Sequence, residues 1–421
     1  MQHEVHEAFV AFIGLDWADA THDVCLPAAG SEHREHCSLA HTPEAIDAWV
    51  GSLHKRCEGK PIALGLELNK GPIVFALRTS PCFVLLPVNP LTRARYRAAF
   101  PPSRAKDDPT AAALQLALLR THRDTLQPLP PQSPTMRALA PLVAPRRRVV
   151  GDTGRITPRL TRTLKNSFPH ALQWFQDKDT RMFCDVRSRW PTLQAVQRAR
   201  RAPLETFFRA PPVRSADVMP QRLNAIKAAT PLTTDAGIIT PHALLVQALV
   251  SQLRATLRAL QDFDHAITQC APSHPDFPLF QSLPGAGPVC APRLLVACGA
   301  HRDRSAAAAA RQPCAGIAPG TERSGKKGWG HWRLQCPTCL RHTCVEWAAA
   351  SIRHAFWAQV SSQPQRGQGT AHQAAVRALA FKWIRILLRG WQDRPPYDAS
   401  VSLTALNSRG SSLIHHLAKG S

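Results

Sequence analysis

The stretch from Phe9 to Pro27, FVAFIGLDWADATHDVCLP, contains two apolar segments that a short polar turn separates. The first segment ends at Asp16, and the second reads HDVCLP. Short apolar segments bounded by polar turn residues are typical of β-strands. The stretch therefore predicts two consecutive strands, with a carboxylate at the end of the first one.

The sequence that follows alternates between strand and helix patterns. PIALGLEL (61–68) predicts a short apolar strand that ends at Glu67, and PCFVLLPVNP (81–90) predicts a buried strand that proline stops. Between them, GPIVFALRT (71–79) favours a helix. Strands that alternate with helices indicate an α/β domain with a mixed sheet, which we place at residues 9–122.

Another helix begins at the adjacent acids Asp107 and Asp108, in SRAKDDPTAAALQLALL (103–119). An Asp cap followed by proline in the first turn is a common helix start. Strands that end at one edge of a sheet would bring Asp16 and Glu67 together, with Asp108 at the helix start. Clustered carboxylates bind Mg²⁺ (or Mn²⁺) through oxygen, and two such ions can drive chemistry at a phosphodiester. The alternative is three unrelated acids: a turn residue, a solvated strand end and a helix cap.

The charge of the chain is strongly positive. Its 52 Lys and Arg residues outnumber its 29 Asp and Glu residues, which gives a formal net charge of +23 at pH 7. Such an excess fits a polyanion partner better than a small-molecule substrate. An arginine-rich proteome is the alternative explanation. We favour nucleic-acid binding because the basic residues exceed the acids by so wide a margin.

Length and composition limit the class of protein. At 421 residues, with 44% hydrophobic residues, the chain is long enough for two or three globular domains. We find no apolar run long enough to cross a bilayer and no N-terminal signal pattern, so we expect a cytoplasmic protein without a membrane partner. The 12 cysteines are scattered, as in proteins with reduced thiols. Cys336 and Cys339 have metal-ligand spacing, but no second pair completes a zinc site.

A proline-rich linker, LQPLPPQSP (126–134), separates the first domain from basic sequence with helical patterns. Further on, Leu249, Leu253 and Leu257 begin an apolar seam at helical spacing that continues to Ile267. The seam suits either coiled-coil pairing between protomers or packing on its own domain. We therefore expect a basic helical linker and coiled coil at residues 123–275, a C-terminal domain at 276–398 and a polar tail at 399–421.

The C-terminal domain opens with LPGAGPVCAPRLLVACG (283–299), which has the pattern of a helix-hairpin-helix turn. Gly285 and Gly287 would let backbone N–H groups approach a phosphate at the start of the next helix. Tryptophans downstream recur at helical spacing, which favours a buried core over base stacking. They are Trp357, Trp383 and Trp391.

Five stretches, in this order along the chain, together resemble one group of bacterial insertion-sequence transposases. They are FIGLDWADATHDVCL, GLELNKGPIVFAL, PVNPLTRARYRAAFPPSRAKDDPT, SLPGAGPVCAPRLL and GIAPGTERSGKKG. The group is the insertion-sequence family numbered one hundred and ten, also described as bridge-RNA-guided recombinases, and the similarity extends from about Phe9 to Tyr397. It implies an RNase H-like (RuvC-like) DEDD domain at 9–122 and a mainly α-helical transposase domain, bearing a serine, at 276–398.

The resemblance assigns roles to the residues that match the family pattern. The first acid of the family falls on Asp16, its Glu on Glu67 and its third acid, in a K-x-D-x-x-D pattern, on Asp108. These residues would hold Mg²⁺ or Mn²⁺. The fourth acid is expected three residues later, one helical turn along, where this chain has Ala111. A methyl group cannot ligate a metal ion, and Asp107 leaves the helix start in another direction.

The serine of the family falls on Ser324, in ERSGKKG. By resemblance it is the nucleophile that attacks a DNA phosphate and holds a covalent intermediate. Arg323, Lys326 and Lys327 would neutralise phosphate charge, and Gly325 leaves room for a DNA backbone. The alternative is a basic surface turn that only binds phosphates.

The leading hypothesis is a DNA transposase that acts on its own insertion sequence, at the nucleoid in the bacterial cytoplasm. By resemblance, a structured non-coding guide RNA would select the DNA. Composite sites would form in a homodimer or homotetramer whose protomers pair around Leu253. A second hypothesis is an impaired remnant that only binds nucleic acid, which Ala111 supports. A third is a tyrosine recombinase that uses Tyr397, although RPPYD lacks the expected Arg and His neighbours.

Overall fold

The structure is a computed structural model that describes most of the chain. The described residues are 9–27, 33–68, 70–99, 108–130, 132–175, 177–209, 218–299, 315–318, 320–325, 327–331, 336–367 and 371–408. The chain divides into two compact units, Met1–Pro131 and Gln132–Ser421.

The core of the first unit is a mixed sheet. Its described strands are β1 (Ala11–Asp16), β2 (Thr21–Pro27), β3 (Arg34–Ala40), β4 (Ile62–Leu66) and β5 (Phe83–Pro87). The order is β3-β2-β1-β4-β5, in which β1, β2 and β3 pair antiparallel while β1, β4 and β5 pair parallel. The predicted α/β domain with a mixed sheet is confirmed. The apolar pattern does not predict β3, because REHCSLA is mostly polar and exposes all but one residue at the sheet edge.

Helices connect and cover these strands. Those described are α1 (Pro43–Arg56), α2 (Pro72–Leu77), α3 (Pro90–Ala98) and α4 (Asp108–Thr121). The first three begin with proline, whose fixed φ suits the first helical turn. The Thr42 hydroxyl accepts a hydrogen bond from the Ala45 N–H, and the Asn89 side chain accepts one from the Leu91 N–H, so α1 and α3 are capped. The cap at Asn89 starts α3 directly after β5.

Helix α4 packs on the sheet through backbone contact at glycine. Gly14 of β1 and Gly65 of β4 are paired neighbours in the sheet. A Cβ atom at Gly14 would lie 2.5 Å from the backbone N of Leu116 and still closer to the carbonyl O of Ala112. Real Cβ atoms do not approach backbone so closely, and only glycine therefore allows α4 to lie here.

The direction of α4 follows from its other contacts. Leu119, near the end of the helix, packs against Ala63, which precedes Gly65 in β4. The helix therefore runs toward the amino ends of the parallel strands. Its first turn, which begins at Asp108, lies toward the opposite edge, where β1 and β4 end.

The described part of the second unit is mainly helical, with one two-stranded hairpin. Its helices are α5 (Pro134–Ser167), α6 (His170–Trp174), α7 (Arg181–Arg189), α8 (Leu193–Gln197), α9 (Arg201–Arg209), α10 (Val218–Ala228), α11 (Ala236–Cys270), α12 (Phe277–Gln281), α13 (Gly287–Cys298), α14 (Thr338–Ser351), α15 (Phe356–Gly367), α16 (His372–Asp393) and α17 (Ala399–Ser408). The hairpin consists of β6 (Gly320–Ser324) and β7 (Lys327–His331). One hydrophobic cluster joins the C-terminal half of α5 to α6–α11. A second cluster joins the N-terminal end of α5 and the C-terminal end of α11 to α12–α16.

The tryptophans of the C-terminal helices belong to the second cluster. Trp383 and Trp391 are fully buried, and Trp357 is 5% exposed. The rings of Trp357 and Trp383 lie 4.6 Å apart between their centres. The prediction that these residues form a core is confirmed.

Helix α11 carries the apolar seam predicted around Leu253. Leu249 and Leu253 are buried inside their own chain, in the cluster that includes α5 and α7. Of the two alternatives for the seam, the helix here packs on its own domain. Leu253 is therefore not free to contact another protomer, and pairing of protomers through the remaining surface of α11 stays a prediction.

The expectation about apolar runs also needs correction. The segment Ala236–Ser273, which is α11 with the short turn after it, is long and apolar enough to cross a membrane by length and composition alone, because a window of 18 residues within it has a mean hydropathy of 1.4. In its most apolar window, 22% of the residues are buried. The core helix of a protein passes the same test, and Val246, Val250 and Leu253 lie in such a core. The segment is therefore weak evidence for a membrane.

A buried arginine lies in the first helical cluster. Arg187 of α7 is fully buried, and no residue that the structure describes accepts a hydrogen bond from its guanidinium. Its guanidinium carbon lies 4.5 Å from the centre of the Phe168 ring, which is a cation–π contact. Burial lowers the pKa of Arg187 to about 9. The folded state therefore holds the charged form at a cost.

Replacing Arg187 with methionine is expected to stabilise the protein by about 1–3 kcal/mol at pH 7, because methionine fills the site without burying a charge. The folded protein releases the Arg187 proton above about pH 9, while the unfolded chain keeps it, so wild-type stability rises there. The advantage of the variant should therefore shrink at about pH 10. Urea unfolding at the two pH values measures both effects. Arg189→Met, at an exposed position on α7, is the control and should change little; a lower midpoint for Arg187→Met would contradict the prediction.

Candidate active site

Two carboxylates lie at the edge of the sheet where the parallel strands end. Asp16 is the last residue of β1, and Glu67 follows the last residue of β4. Leu15 pairs with Leu66 in the parallel register, so the two acids leave the sheet side by side. Their side chains are 15% and 23% exposed. The structure thus brings together the two acids that the sequence places at strand ends.

A guanidinium that the sequence reasoning missed lies between these acids. Arg93, in the first turn of α3, donates from Nη1 to Asp16 Oδ1 at 2.7 Å and from Nε to Glu67 Oε1 at 2.5 Å. The Arg93 side chain is itself only 15% exposed. Its place in the first turn after a third parallel strand is the one sequence signal that could have pointed to it. We call Asp16, Glu67 and Arg93 the acid edge.

The helix that the sequence associates with this edge begins at Asp108. This residue opens α4, and the direction of α4 puts that first turn toward the carboxyl ends of β1 and β4. Ala111, at the position expected for the fourth acid, is 8% exposed. Asp107 lies outside the described residues.

The divalent metal predicted for these acids does not fit this arrangement. Both carboxylates bind the guanidinium of Arg93, and the residue expected to supply a fourth oxygen is Ala111. A hard divalent cation needs several oxygen ligands at once. In the part of the chain that the structure describes, no three His, Cys, Asp or Glu side chains are grouped closely enough to hold a metal ion.

Ser324 lies at the tip of the β6–β7 hairpin. It is the last residue of β6 and pairs with Lys327, the first residue of β7. Gly325 follows with a φ of 59°, the left-handed conformation that tight hairpin turns require and glycine adopts readily. Ser324 and Gly325 are both exposed. Lys326 lies outside the described residues.

Cationic side chains flank the serine. Lys327 is exposed and directly opposite Ser324, so the two side chains share one face of the hairpin. Arg323 is also exposed and, as the preceding residue of the strand, belongs to the other face. The tip therefore presents a hydroxyl between positive charges to solvent.

An exposed tryptophan that the sequence reasoning missed shares the face of Ser324. Trp329 lies two residues after Lys327 in β7, and alternate residues of a strand point to the same side. Its side chain is 48% exposed, which is unusual for so large an apolar group. The alternation in KGWGH could have predicted a strand with Trp329 on one face. Only the register of the hairpin shows that this is the face of Ser324.

The two glycines of the predicted helix-hairpin-helix turn differ in their surroundings. A Cβ at Gly285, whose φ is 72°, would lie 2.8 Å from the backbone N of Ser351 in α14. Packing against α14 therefore explains Gly285, and a phosphate is not needed to account for it. Gly287 has no atom within 4 Å of such a Cβ and is exposed at the start of α13. The phosphate contact stays a prediction, with Gly287 the better placed of the two.

Tyr397 lies in a setting that does not suit a nucleophile. Its hydroxyl accepts a hydrogen bond from Trp357 Nε1 at 2.9 Å, and its ring lies 5.6 Å from that of Trp383. Its backbone N–H donates to Ser282 Oγ at 2.9 Å. These contacts give Tyr397 a role in packing the C-terminal core.

Two family models match the chain. A transposase model of the IS110 DEDD type matches residues 13–169, which include the acid edge and α4. A model described as the transposase IS116/IS110/IS902 family matches residues 278–363, which include Gly285, Gly287 and Ser324. The two matched segments together make up more than half of the chain.

Known proteins are similar over most of this length. A Streptomyces coelicolor protein, whose name assigns it as a transposase for the IS117 mini-circle, is 29% identical over 412 residues, or 95% of this chain and 98% of the relative. A 42 kDa protein of insertion element IS900 from Mycobacterium paratuberculosis is 24% identical over 318 residues, or 74% of this chain and 72% of the relative. The family models and this end-to-end similarity agree with the motifs and their order. The chain belongs to the IS110 family of transposases, which act in DNA transposition and recombination.

Proposed function

We propose that this transposase cleaves DNA with Ser324 as its nucleophile. The observation that carries the proposal is the place of Ser324, an exposed hydroxyl at a tight turn with Lys327 on the same face and Arg323 beside it. A protruding turn reaches a phosphodiester without a deep cleft. Gly325 adds no side chain that would obstruct the DNA backbone.

The proposed step exchanges one phosphate ester for another. Ser324 Oγ attacks the phosphorus atom, the bond from phosphorus to the departing sugar oxygen breaks, and a phosphoserine link to one strand forms. The serine proton passes to solvent, and the departing oxygen takes up a proton from solvent. A hydroxyl of another DNA end then attacks the phosphoserine, which rejoins the strands and frees the serine. Lys327, on the face of Ser324, stabilises the negative charge on the phosphate oxygens during both attacks, and Arg323 adds positive charge from the other face of the same turn.

We also propose that the first unit is an RNase H-like domain of the RuvC type. The strand order β3-β2-β1-β4-β5 supports this, as do the acids at the ends of β1 and β4 and the DEDD family match. DEDD transposases typically use a divalent metal such as Mg²⁺ or Mn²⁺. Because the acids here are paired with Arg93, no step of the proposed mechanism passes through a metal. The proposed domains are 9–122 for the RuvC-like part, 123–275 for the basic helical linker, 276–398 for the serine domain and 399–421 for the tail.

The resemblance extends the proposal to partners. We propose that a structured guide RNA selects the DNA and that copies of this chain assemble as a dimer or tetramer. The net charge of +23 supports a polyanion partner, and the phosphates of either nucleic acid qualify. A long self-complementary non-coding stretch beside the gene would support the guide RNA, and its absence would contradict it.

A second candidate function is nucleic-acid binding without cleavage. Ala111 favours it, since this position carries no carboxylate. Strand exchange on the ends of the element should be measured for the wild type beside Ala111→Asp. If the wild type exchanges strands as actively as Ala111→Asp, the hypothesis of an impaired protein is contradicted. If only Ala111→Asp is active, that hypothesis is supported.

Mapping the covalent adduct tests the proposed nucleophile. The full chain is incubated with DNA that carries the element ends, denatured and digested, and the peptide that retains a nucleotide is sequenced. We expect the nucleotide on Ser324. An adduct on Tyr397 would overturn the assignment and restore the tyrosine recombinase.

Replacing Trp329 with alanine is expected to weaken DNA binding by about 5- to 150-fold, because stacking on one base contributes about 1–3 kcal/mol. The position of Trp329, exposed on the face of Ser324, suits a base beside the attacked phosphate. Trp329→Phe keeps a ring for stacking and should retain most of the affinity. Equilibrium binding at fixed salt measures the change.

Phe356 supplies the control for Trp329. It is 47% exposed as the first residue of α15, so Phe356→Ala removes an exposed aromatic that belongs to neither hairpin strand. We expect its effect on affinity to be small. Equal losses at Phe356 and Trp329 would show that general surface hydrophobicity, and not stacking beside Ser324, is responsible.

A further inference from the structure

We infer that Arg93 is the resident cation of the acid edge, and that this chain has exchanged a divalent metal site for an internal guanidinium. DEDD transposases typically use a divalent metal, and the resemblance assigns these acids to hold it. Here the described carboxylates converge on a cation that the chain itself supplies. Arg93 and Ala111 together account for the exchange.

The first support is the geometry of Arg93. It binds the two acids through different nitrogen atoms, Nη1 to Asp16 at 2.7 Å and Nε to Glu67 at 2.5 Å, so one guanidinium bridges both strands. Charge-assisted hydrogen bonds of this kind are directional and among the strongest in proteins. All three side chains are at most 23% exposed, so solvent screens the interaction only in part.

The second support is charge. Asp16 and Glu67 supply two negative charges, and Arg93 returns one positive charge at the point where they converge. A divalent cation held by the same oxygens would lie close to the guanidinium and be repelled by it. Such an ion also requires its ligands at about 2.0–2.1 Å in near-octahedral order for Mg²⁺, and oxygens bound to Arg93 are not free to adopt that order.

The third support is Ala111. One turn after Asp108, an aspartate would add a carboxylate to the first turn of α4, which lies toward this edge. Alanine removes that charge and ligand. The loss lowers the affinity of the site for a divalent ion. It also leaves fewer negative charges, so the single positive charge of Arg93 neutralises a larger share of them. The two residues thus act in the same direction.

A different role for Arg93 must be separated from this one. As a structural ion pair, Arg93 would only fasten α3 to the sheet, and its removal would lower stability without changing metal affinity. As the resident cation, its removal must raise metal affinity. The two roles therefore predict different results in a metal-binding measurement that uses no DNA, and the outcome does not depend on the role of Ser324.

The experiment measures Mn²⁺ affinity of the full chain by calorimetry and by the electron paramagnetic resonance of free Mn²⁺. We expect weak Mn²⁺ binding in the wild type. Arg93→Gln should bind Mn²⁺ about tenfold more tightly, because removing one nearby positive charge changes the affinity of a carboxylate for a cation by about as much as one pKa unit. Ala111→Asp with Arg93 in place should gain less Mn²⁺ affinity than the double variant that carries both Arg93→Gln and Ala111→Asp. The double variant should bind at least about a hundredfold more tightly than the wild type, and adding Asp16→Asn to it should abolish the gain.

Controls and contrary outcomes complete the test. Arg95→Gln, at an exposed position on α3, removes one positive charge near the site and should change affinity less than twofold. Arg93→Lys keeps the charge and should bind Mn²⁺ as weakly as the wild type. Wild-type affinity equal to that of the double variant, or no change in folded Arg93→Gln, would overturn the inference. If thermal unfolding shows that Arg93→Gln does not fold, Ala111→Asp decides alone, because tight binding there with Arg93 in place also overturns it.

Discussion

Ser324→Ala is expected to lower DNA strand cleavage by at least about 10³-fold, with no covalent adduct detectable. The reason is that the proposed mechanism bonds the serine oxygen to phosphorus, and no other described hydroxyl shares the exposed face of the hairpin with Lys327. DNA binding should be nearly unchanged, since Arg323, Lys327 and Trp329 are kept. Cleavage of labelled element ends, measured beside equilibrium binding, separates the two quantities.

The matched control for Ser324 is Ser400→Ala. Ser400 is an exposed serine in α17, remote in sequence from the hairpin, and its substitution should leave both cleavage and binding as in the wild type. Cleavage that persists in Ser324→Ala would contradict the proposal. Parallel loss of cleavage and binding would show that Ser324 only holds phosphate, which is the alternative that its basic surroundings leave open.

Gly14→Ala is expected to destabilise the first unit by about 2–4 kcal/mol or to prevent its folding. The added methyl would lie 2.5 Å from the backbone N of Leu116, and a helix backbone cannot turn aside as a flexible side chain can. Helix α4 would have to move away from β1. Thermal unfolding followed by circular dichroism measures the loss.

Gly51 supplies the control for Gly14. It lies within α1, and a Cβ there meets no atom within 4 Å. Gly51→Ala should raise stability by about 0.5–1 kcal/mol, because alanine favours a helix more than glycine does. The same chemical change is thus expected to have opposite signs at the two sites. Equal stability of Gly14→Ala and the wild type would show that α4 can shift without cost.

Local patterns were enough to predict much of the first unit. The strands that end at Asp16 and Glu67 are apolar and short, and strands of one sheet that end at the same edge bring their last residues together, so the meeting of the two acids was predictable. The edge strand β3 was not, because its residues face solvent and carry no apolar signal. A buried strand has an apolar pattern that can be recognised in the sequence. An exposed edge strand lacks that pattern and forms because it pairs with the neighbouring strand of the sheet.

The partners of individual residues were harder to predict. Arg93 reaches Asp16 across 77 positions of sequence, and a charge in a basic helix start looks the same whether it faces DNA or a carboxylate. Gly285 appeared suited to a phosphate, but its close neighbour is Ser351, far along the chain. The seam of α11 was predicted correctly as apolar, but its spacing left open whether it packs on its own domain, as it does, or on another protomer. Hydrophobic periodicity and secondary-structure propensity predict which face of an element is buried. Which other element that face packs against depends on the tertiary structure.

The backbone contact between Gly14 and α4 bears on how copies of a mobile element decay. The turns of α4 from Ala112 onward fix the helix to the sheet, whereas position 111 lies in the turn before them. A point mutation that removes the acid from position 111 therefore leaves the contact that seats the helix untouched. We therefore expect such a copy to keep the fold of its first unit and its basic surfaces, and to compete for the same DNA ends instead of being cleared as misfolded protein.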